Sequence, residues 1–208
     1  MRATVGLILA ITALTLVGWS LEPEAAAGYL AYSSNNLLEG RVWTLFTALF
    51  IHGDVLHLAG NMLFLFAFGK AVEEELSASR FLGSFFFGGV VSFLLSSFFY
   101  PPGTLMVGAS AAIFTLVAIA MLVRPLRFSW IFLSPIGLVA ILYFLYNAFA
   151  VYKGIFSEVA YISHIIGFVV GFPIGISWSE RWKRNLLITL LLLAVYVLVI
   201  HLIMRYLF

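Results

Sequence analysis

The chain has 208 residues, of which 63% are hydrophobic and only 10% charged, with a formal net charge of +2 and a mean hydropathy of +1.12. A water-soluble domain of this composition would expose far more apolar area than a soluble surface carries, so that class is excluded. The 11 Lys and Arg lie scattered between apolar runs with no basic stripe to track phosphates, which argues against nucleic acid, and the absence of cysteine removes disulfides, a thiolate nucleophile and cysteine metal sites.

Runs of the roughly 17 to 25 apolar residues that span a bilayer fall at 3–21, 56–72, 81–99, 106–123, 130–151, 159–178 and 186–208. They are continuous rather than alternating, which predicts an all-α polytopic transmembrane bundle of seven spans instead of a barrel. Arg2 before the first run and Ala25-Ala26-Ala27 after it also resemble a signal peptide and its cleavage site. The run is longer than the ~7 to 15 residues of a signal core, so it is read as a helix. The second run carries His57 and Asn61, four apart and therefore on one helix face. Together they can donate to a developing oxyanion, or else serve interhelical hydrogen bonding. Pro101-Pro102-Gly103 breaks the chain before Gly108-Ala109-Ser110, which places Ser110 near the amino end of the fourth run, among orphan N–H donors and the positive end of the helix dipole. Pro125 follows Arg124 at the end of that run. The sixth run contains His164, followed by glycines at 167, 171 and 175 that line one face and permit a close helix crossing. Such a crossing is what a histidine needs to come within hydrogen-bond reach of a serine hydroxyl, about 2.6 to 3.2 Å.

Placing the amino terminus inside puts Arg2, Lys70, Arg80, Arg124, Arg127, Arg181, Lys183 and Arg184 on inner segments and only Arg41, Lys153 and Arg205 on outer ones, a positive-inside pattern. His57, Ser110 and His164 then share one depth, within about one to two turns of the outer face. The same orientation puts Ser33 in an outer loop and Ser179 in an inner one.

At these residues the chain resembles the rhomboid family of intramembrane serine proteases, over about Gly40 to Gly175. The stretch from Trp43 through His52 to His57 and Asn61 is similar to the family's first-loop and second-helix signature, Gly108-Ala109-Ser110 to the start of its Gly-x-Ser-Gly, and His164 with Gly167 and Gly171 to its sixth-helix histidine region. Gly69 and Glu73 fit its pattern after the second helix. The resemblance implies a six-helix core, about 1–178, with an added carboxy-terminal helix at about 186–208, in a single membrane-embedded domain. It implies Ser110 as nucleophile, His164 as base and then acid with no acidic third member, and oxyanion donors from the Ser110 N–H, His57 and Asn61. Substrates would be transmembrane segments of other proteins, cut near the outer face of the cell membrane. The loop at 22–54 would be a membrane-embedded hairpin, with Trp43, Phe46 and Phe50 at the interface, and the fifth helix, aromatic around Tyr143 to Tyr146, the mobile side where substrate enters. No cofactor and no metal are expected.

Three departures stand out. Ala111 replaces the motif's second glycine, Phe114 stands where many members have a tyrosine beside the histidine, and Thr44 follows Trp43 where an arginine is usual. Two other classes compete: an inactive scaffold that recognises helices without cutting them, which has no need of both Ser110 and His164, and a small transporter using His57, Asn61 and His164 as a polar path, for which acidic residues inside the spans are lacking.

Overall fold

The computed structural model describes residues 1–155 and 160–207. Every predicted run is helical. After α1 (Arg2–Trp19) a loop carries three short helices, α2 (Pro23–Tyr29), α3 (Ser34–Leu38) and α4 (Thr44–Thr47). The second run is α5 (Val55–Phe64) and α6 (Lys70–Glu75), joined by a π turn at Leu65–Gly69. Then come α7 (Ala78–Ser96), α8 (Ser110–Val123), α9 (Ile136–Tyr152), α10 (Tyr161–Trp178) and α11 (Trp182–Leu207). Five of these among the described residues are long and apolar enough to cross a membrane, Val55–Glu75 counting as one; α8 and α9 are shorter, at 14 and 17 residues. The chain is thus an all-α polytopic helical bundle. Val159 and Phe208, at the edges of two predicted runs, lie outside the described residues.

Two helices start later than their apolar runs. Met106 is taken by a backbone bridge to Tyr32, with N–O distances of 2.7 and 3.0 Å, and Gly108 N–H donates to the Ala48 carbonyl at 2.8 Å. These bonds hold the residues before Ser110 against the first loop, so α8 begins at Ser110. Before α9 the chain folds back as a small antiparallel ribbon, β1 (Phe128–Ser129) with β2 (Ser134–Pro135), and helix begins only at Ile136.

Local chemistry explains the helix starts. The Asp54 carboxylate accepts from His57 N–H at 2.8 Å and the Ser77 hydroxyl from Arg80 N–H at 3.1 Å, each an N-cap. Glu73 does the same for α1 from a distance in sequence: its carboxylate accepts from the N–H groups of Ala3 (3.1 Å) and Thr4 (2.8 Å) and from the Thr4 hydroxyl (2.6 Å). That sets a negative charge on the positive end of the α1 dipole.

The core is built around α8, whose residues 111–122 are all buried. A glycine ladder on α10 makes this possible. A Cβ at Gly167 would run into the Ala111 carbonyl, one at Gly171 into the Thr115 carbonyl, and one at Gly175 would sit 3.2 Å from Ile119 Cα. Each rung advances by four residues on both helices, so α8 and α10 run parallel in backbone contact. Thr115 ties them further, its hydroxyl donating to the Gly167 carbonyl at 3.0 Å. At the far end Arg124 pairs with Glu75 (2.9 Å), Arg127 with Glu74 (2.7 Å), and Arg80 lies over the Trp178 ring. Several of the cations assigned to the inner side therefore gather at one end, opposite Ser110. Ser33 and Ser179 are both buried, the first capping α3 and the second donating to the Leu122 carbonyl, so neither is the open loop residue expected of it.

Candidate active site

Ser110 is the first residue of α8, so its N–H and those of the next two residues have no partner within the helix. The turn before it depends on Gly108, whose φ of +109° disfavours any side chain and whose Cβ, if present, would lie 2.8 Å from both Cε1 and Nε2 of His57. The His57 ring edge thus packs directly against the strand of chain that enters Ser110. Among the described residues the Ser110 hydroxyl makes no hydrogen bond; catalytic contacts of unliganded sites are often long and tighten with substrate.

His164 is the fourth residue of α10, one turn before the first rung of the glycine ladder. Its ring stacks on Phe114 at 4.5 Å between centroids and 10° between planes. Phe114 is one turn below Ser110 on the same face of α8, so the imidazole lies on the serine's face of that helix. His164 Nδ1 is 2.7 Å from Asn147 Oδ1, both side chains buried. An aromatic chain continues from Phe114 to Tyr143 (4.5 Å), Phe64 (4.5 Å) and Phe132 (4.8 Å), sealing α9 against α5.

His57 and Asn61 share a face of α5 as their spacing requires. One N–H of the Asn61 amide donates to the His57 carbonyl at 2.8 Å, leaving the second free, and its Oδ1 is buried without a partner among the described residues.

His52 and Asn147 have contacts at the site to which sequence patterning assigns no role. His52 Nε2 accepts from the Ala109 N–H at 3.3 Å, and its Nδ1 lies 3.1 Å from the Thr15 hydroxyl, which itself donates to the Phe50 carbonyl at 2.8 Å. The proton of Thr15 being spent, Nδ1 of His52 must be the donor and Nε2 the acceptor. Burial, with His57 adding and Asp54 opposing, holds this imidazole down to about 3, so it stays neutral. The chain of bonds runs from α1 through His52 to the residue before Ser110. The signal for Asn147 is the rule that polar groups inside apolar spans have a purpose, since it interrupts an otherwise apolar, aromatic helix; His52 lies in the first loop, where that rule does not apply.

Of the three departures, Phe114 keeps the ring stack without a hydroxyl. Ala111 is buried, and its carbonyl packs against Gly167, where a Cβ would collide with it. Within the first loop Arg41 donates to the Gly28 carbonyl (2.8 Å) and Asn36 Oδ1 (3.1 Å), and Thr44 donates to the Arg41 carbonyl (2.7 Å). Trp43 and Phe46 stand exposed, as an interfacial hairpin would require, whereas Phe50 is half-buried and packs on the core beside Phe86.

Comparison with known proteins matches residues 39–181 to the Rhomboid domain. The chain is 32% identical over 130 residues to the rhomboid protease GluP of Bacillus subtilis (strain 168), covering 62% of this chain and 25% of that protein. It is 35% identical over 127 residues to RHOMBOID-like protein 1 of Arabidopsis thaliana, covering 61% and 32%. Over 78 residues, 38% of this chain and 28% of the relative, it is 44% identical to the chloroplastic Rhomboid-like protein 11 of the same plant. The chain therefore spans between about a quarter and a third of the length of these relatives.

Proposed function

Since the chain belongs to the rhomboid family, we propose that it is an intramembrane serine endopeptidase, hydrolysing peptide bonds in or near the transmembrane segments of other membrane proteins. Ser110 Oγ attacks the scissile carbonyl while His164 Nε2 takes its proton, and the same histidine returns that proton to the leaving amine. Water then repeats the sequence on the acyl-enzyme, with His164 again as base. The oxyanion is met by the Ser110 N–H, the His57 imidazole and the free N–H of Asn61. Donors of this kind, fixed in a low-dielectric site before charge develops, are each worth about 10² to 10³ in rate.

The observation that carries this reading is the stacking of His164 on Phe114, one turn below Ser110, on a crossing that only glycine permits. The positive-inside count supports an amino terminus in the cytoplasm of a cell-membrane protein and a site towards the outer face. Substrate enters beside α9, through the aromatic seal of Phe64, Tyr143 and Phe132, and the first loop lies in the interface.

The test is reaction of the purified protein with a fluorophosphonate probe, with the labelled peptide identified by mass spectrometry. Label on Ser110, abolished in His164→Ala, is expected. Cleavage of a membrane substrate without label on Ser110 would overturn the assignment, and a protein that binds transmembrane peptides but neither labels nor cleaves would be the scaffold instead.

A further inference from the structure

Building on the Ser110 and His164 reading, we propose that Asn147 is a third member of the site, a positioning residue that holds His164 in the Nδ1–H tautomer and keeps the lone pair on Nε2. A neutral imidazole carries one proton on either of two nitrogens, and only the tautomer with a bare Nε2 can take the serine proton through that atom. Something has to select it.

The selection follows from a chain of two bonds. The Asn147 amide nitrogen donates to the Tyr143 carbonyl at 2.8 Å, one turn back along α9. That carbonyl can only accept, so the amide orientation is determined: turned over, it would set oxygen against oxygen. Oδ1 therefore faces His164, at 2.7 Å from Nδ1. An amide oxygen can only accept as well, so the proton must be on Nδ1. Both residues are buried, Asn147 at 1% exposure and His164 at 5%, so the Nδ1 side of the ring has Asn147 rather than bulk water as its partner. Phe114 against the ring face fixes the remaining rotation.

Among the described residues, Asp54 and Glu73 to Glu75 are all engaged elsewhere: Asp54 is occupied in capping α5, and Glu73, Glu74 and Glu75 are bonded to α1, Arg127 and Arg124 at the other end of the bundle. An amide orients the imidazole without burying a charge beside it, which would be costly in an apolar bundle. The residue comes from α9, so the bond also ties that helix to α10 at the depth of the site.

The experiment uses the full chain with ¹⁵N-labelled histidine in detergent micelles, where the two ring nitrogens of each tautomer have separate shifts and His164→Ala identifies the signals. Wild-type His164 should be the Nδ1–H tautomer. In Asn147→Leu, similar in size but without an acceptor, the Nε2–H form should appear and kcat should fall by about 10- to 100-fold, the usual cost of losing a histidine's outer partner, with KM changed by no more than about twofold. Asn147→Asp, which keeps an acceptor, should restore the Nδ1–H tautomer and bring kcat to within about tenfold of wild type. A wild-type His164 protonated on Nε2 would overturn the proposal whether or not the variants fold. So would an Asn147→Leu protein with unchanged tautomer and kcat, or an Asn147→Asp protein no better than Asn147→Leu. Absence of fluorophosphonate label on Ser110 would instead sink the protease reading, and the tautomer signals would still decide the role of Asn147.

Discussion

Two helices of nearly the same chemistry, α8 and α11, end in opposite surroundings. In α8 every residue from 111 to 122 is buried, whereas in α11 only 6% of the most apolar stretch is, although its mean hydropathy reaches 3.0. A strongly hydrophobic helix is on the outside. In water that would be paradoxical; in a bilayer, acyl chains solvate leucine as well as a protein core does, and the inside position goes to whichever helix can be approached most closely. Alanines at 111, 112, 118 and 120 suit α8 to that place, together with the glycines facing it on α7 and α10: a Cβ at Gly88 would overlap the Thr115 side chain as those on α10 would overlap its backbone. Among the described residues α11 is held chiefly towards its start, where Asn185 donates to the Leu122 and Val123 carbonyls (2.7 and 3.2 Å) and Thr189 is buried.

If α8 is the working centre and α11 a lipid-facing appendage, substitutions should separate them sharply. The largest effect is at the head of α8. Ser110→Ala and His164→Ala should each abolish cleavage of a reporter substrate in proteoliposomes while leaving the melting temperature within a few degrees of wild type; residual cleavage by purified Ser110→Ala would falsify the mechanism. Next, His57→Ala or Asn61→Ala should lower kcat by about 10² to 10³ with little change in KM. A variant that unfolds with no separable kinetic loss would return that residue to a packing role.

The ladder comes third. Gly171→Val drives a side chain into the Thr115 carbonyl, and the resulting shift of His164, even ~1 Å, should cost about 10² in turnover. Full activity in this variant would mean that the crossing is not set by the glycines. The comparison is then sharpened by matched truncations. Ile119→Ala, at 0% exposure, should destabilise by about 2 to 5 kcal/mol, while Val195→Ala, at 59% exposure on α11, should stay within about 0.5 kcal/mol. Equal losses in reversible unfolding would show that α11 is as much a part of the core as α8.

The least perturbing test addresses which end faces out. The chain has no cysteine, so a single introduced thiol is unique. Ser33 and Ser179 are buried, and the exposed Glu24 and Glu180 serve better. An impermeant maleimide should label Glu24→Cys in intact cells and Glu180→Cys only after permeabilisation; the reverse would put the head of α8 at the inner face.

Much of this was legible because bilayer chemistry writes itself plainly along a chain. Apolar run length determined the helices, and the four-residue spacings determined that His57 with Asn61, and Gly167 with Gly171, share faces. His164 and Ser110 were conspicuous as polar groups where polar groups are expensive. Glu73 and Gly69 could be noted from the sequence, but that Glu73 caps α1 across 69 residues of chain could not. α8 starts four residues after its apolar run begins, since the bridge between Tyr32 and Met106 competes for its first turn.

What the sequence determined by itself is therefore what depends on local spacing and on transfer to lipid: an all-α membrane bundle, its helices, and the faces carrying the candidate groups. What only the tertiary structure decided is which apolar helix is central, which nitrogen of His52 and of His164 holds the proton, and that Asn147 reaches His164 from a neighbouring helix. Hydrophobicity cannot rank helices where the solvent is itself hydrocarbon, and a tautomer is selected by a partner that may be any distance away along the chain, so both wait for the helices to be packed.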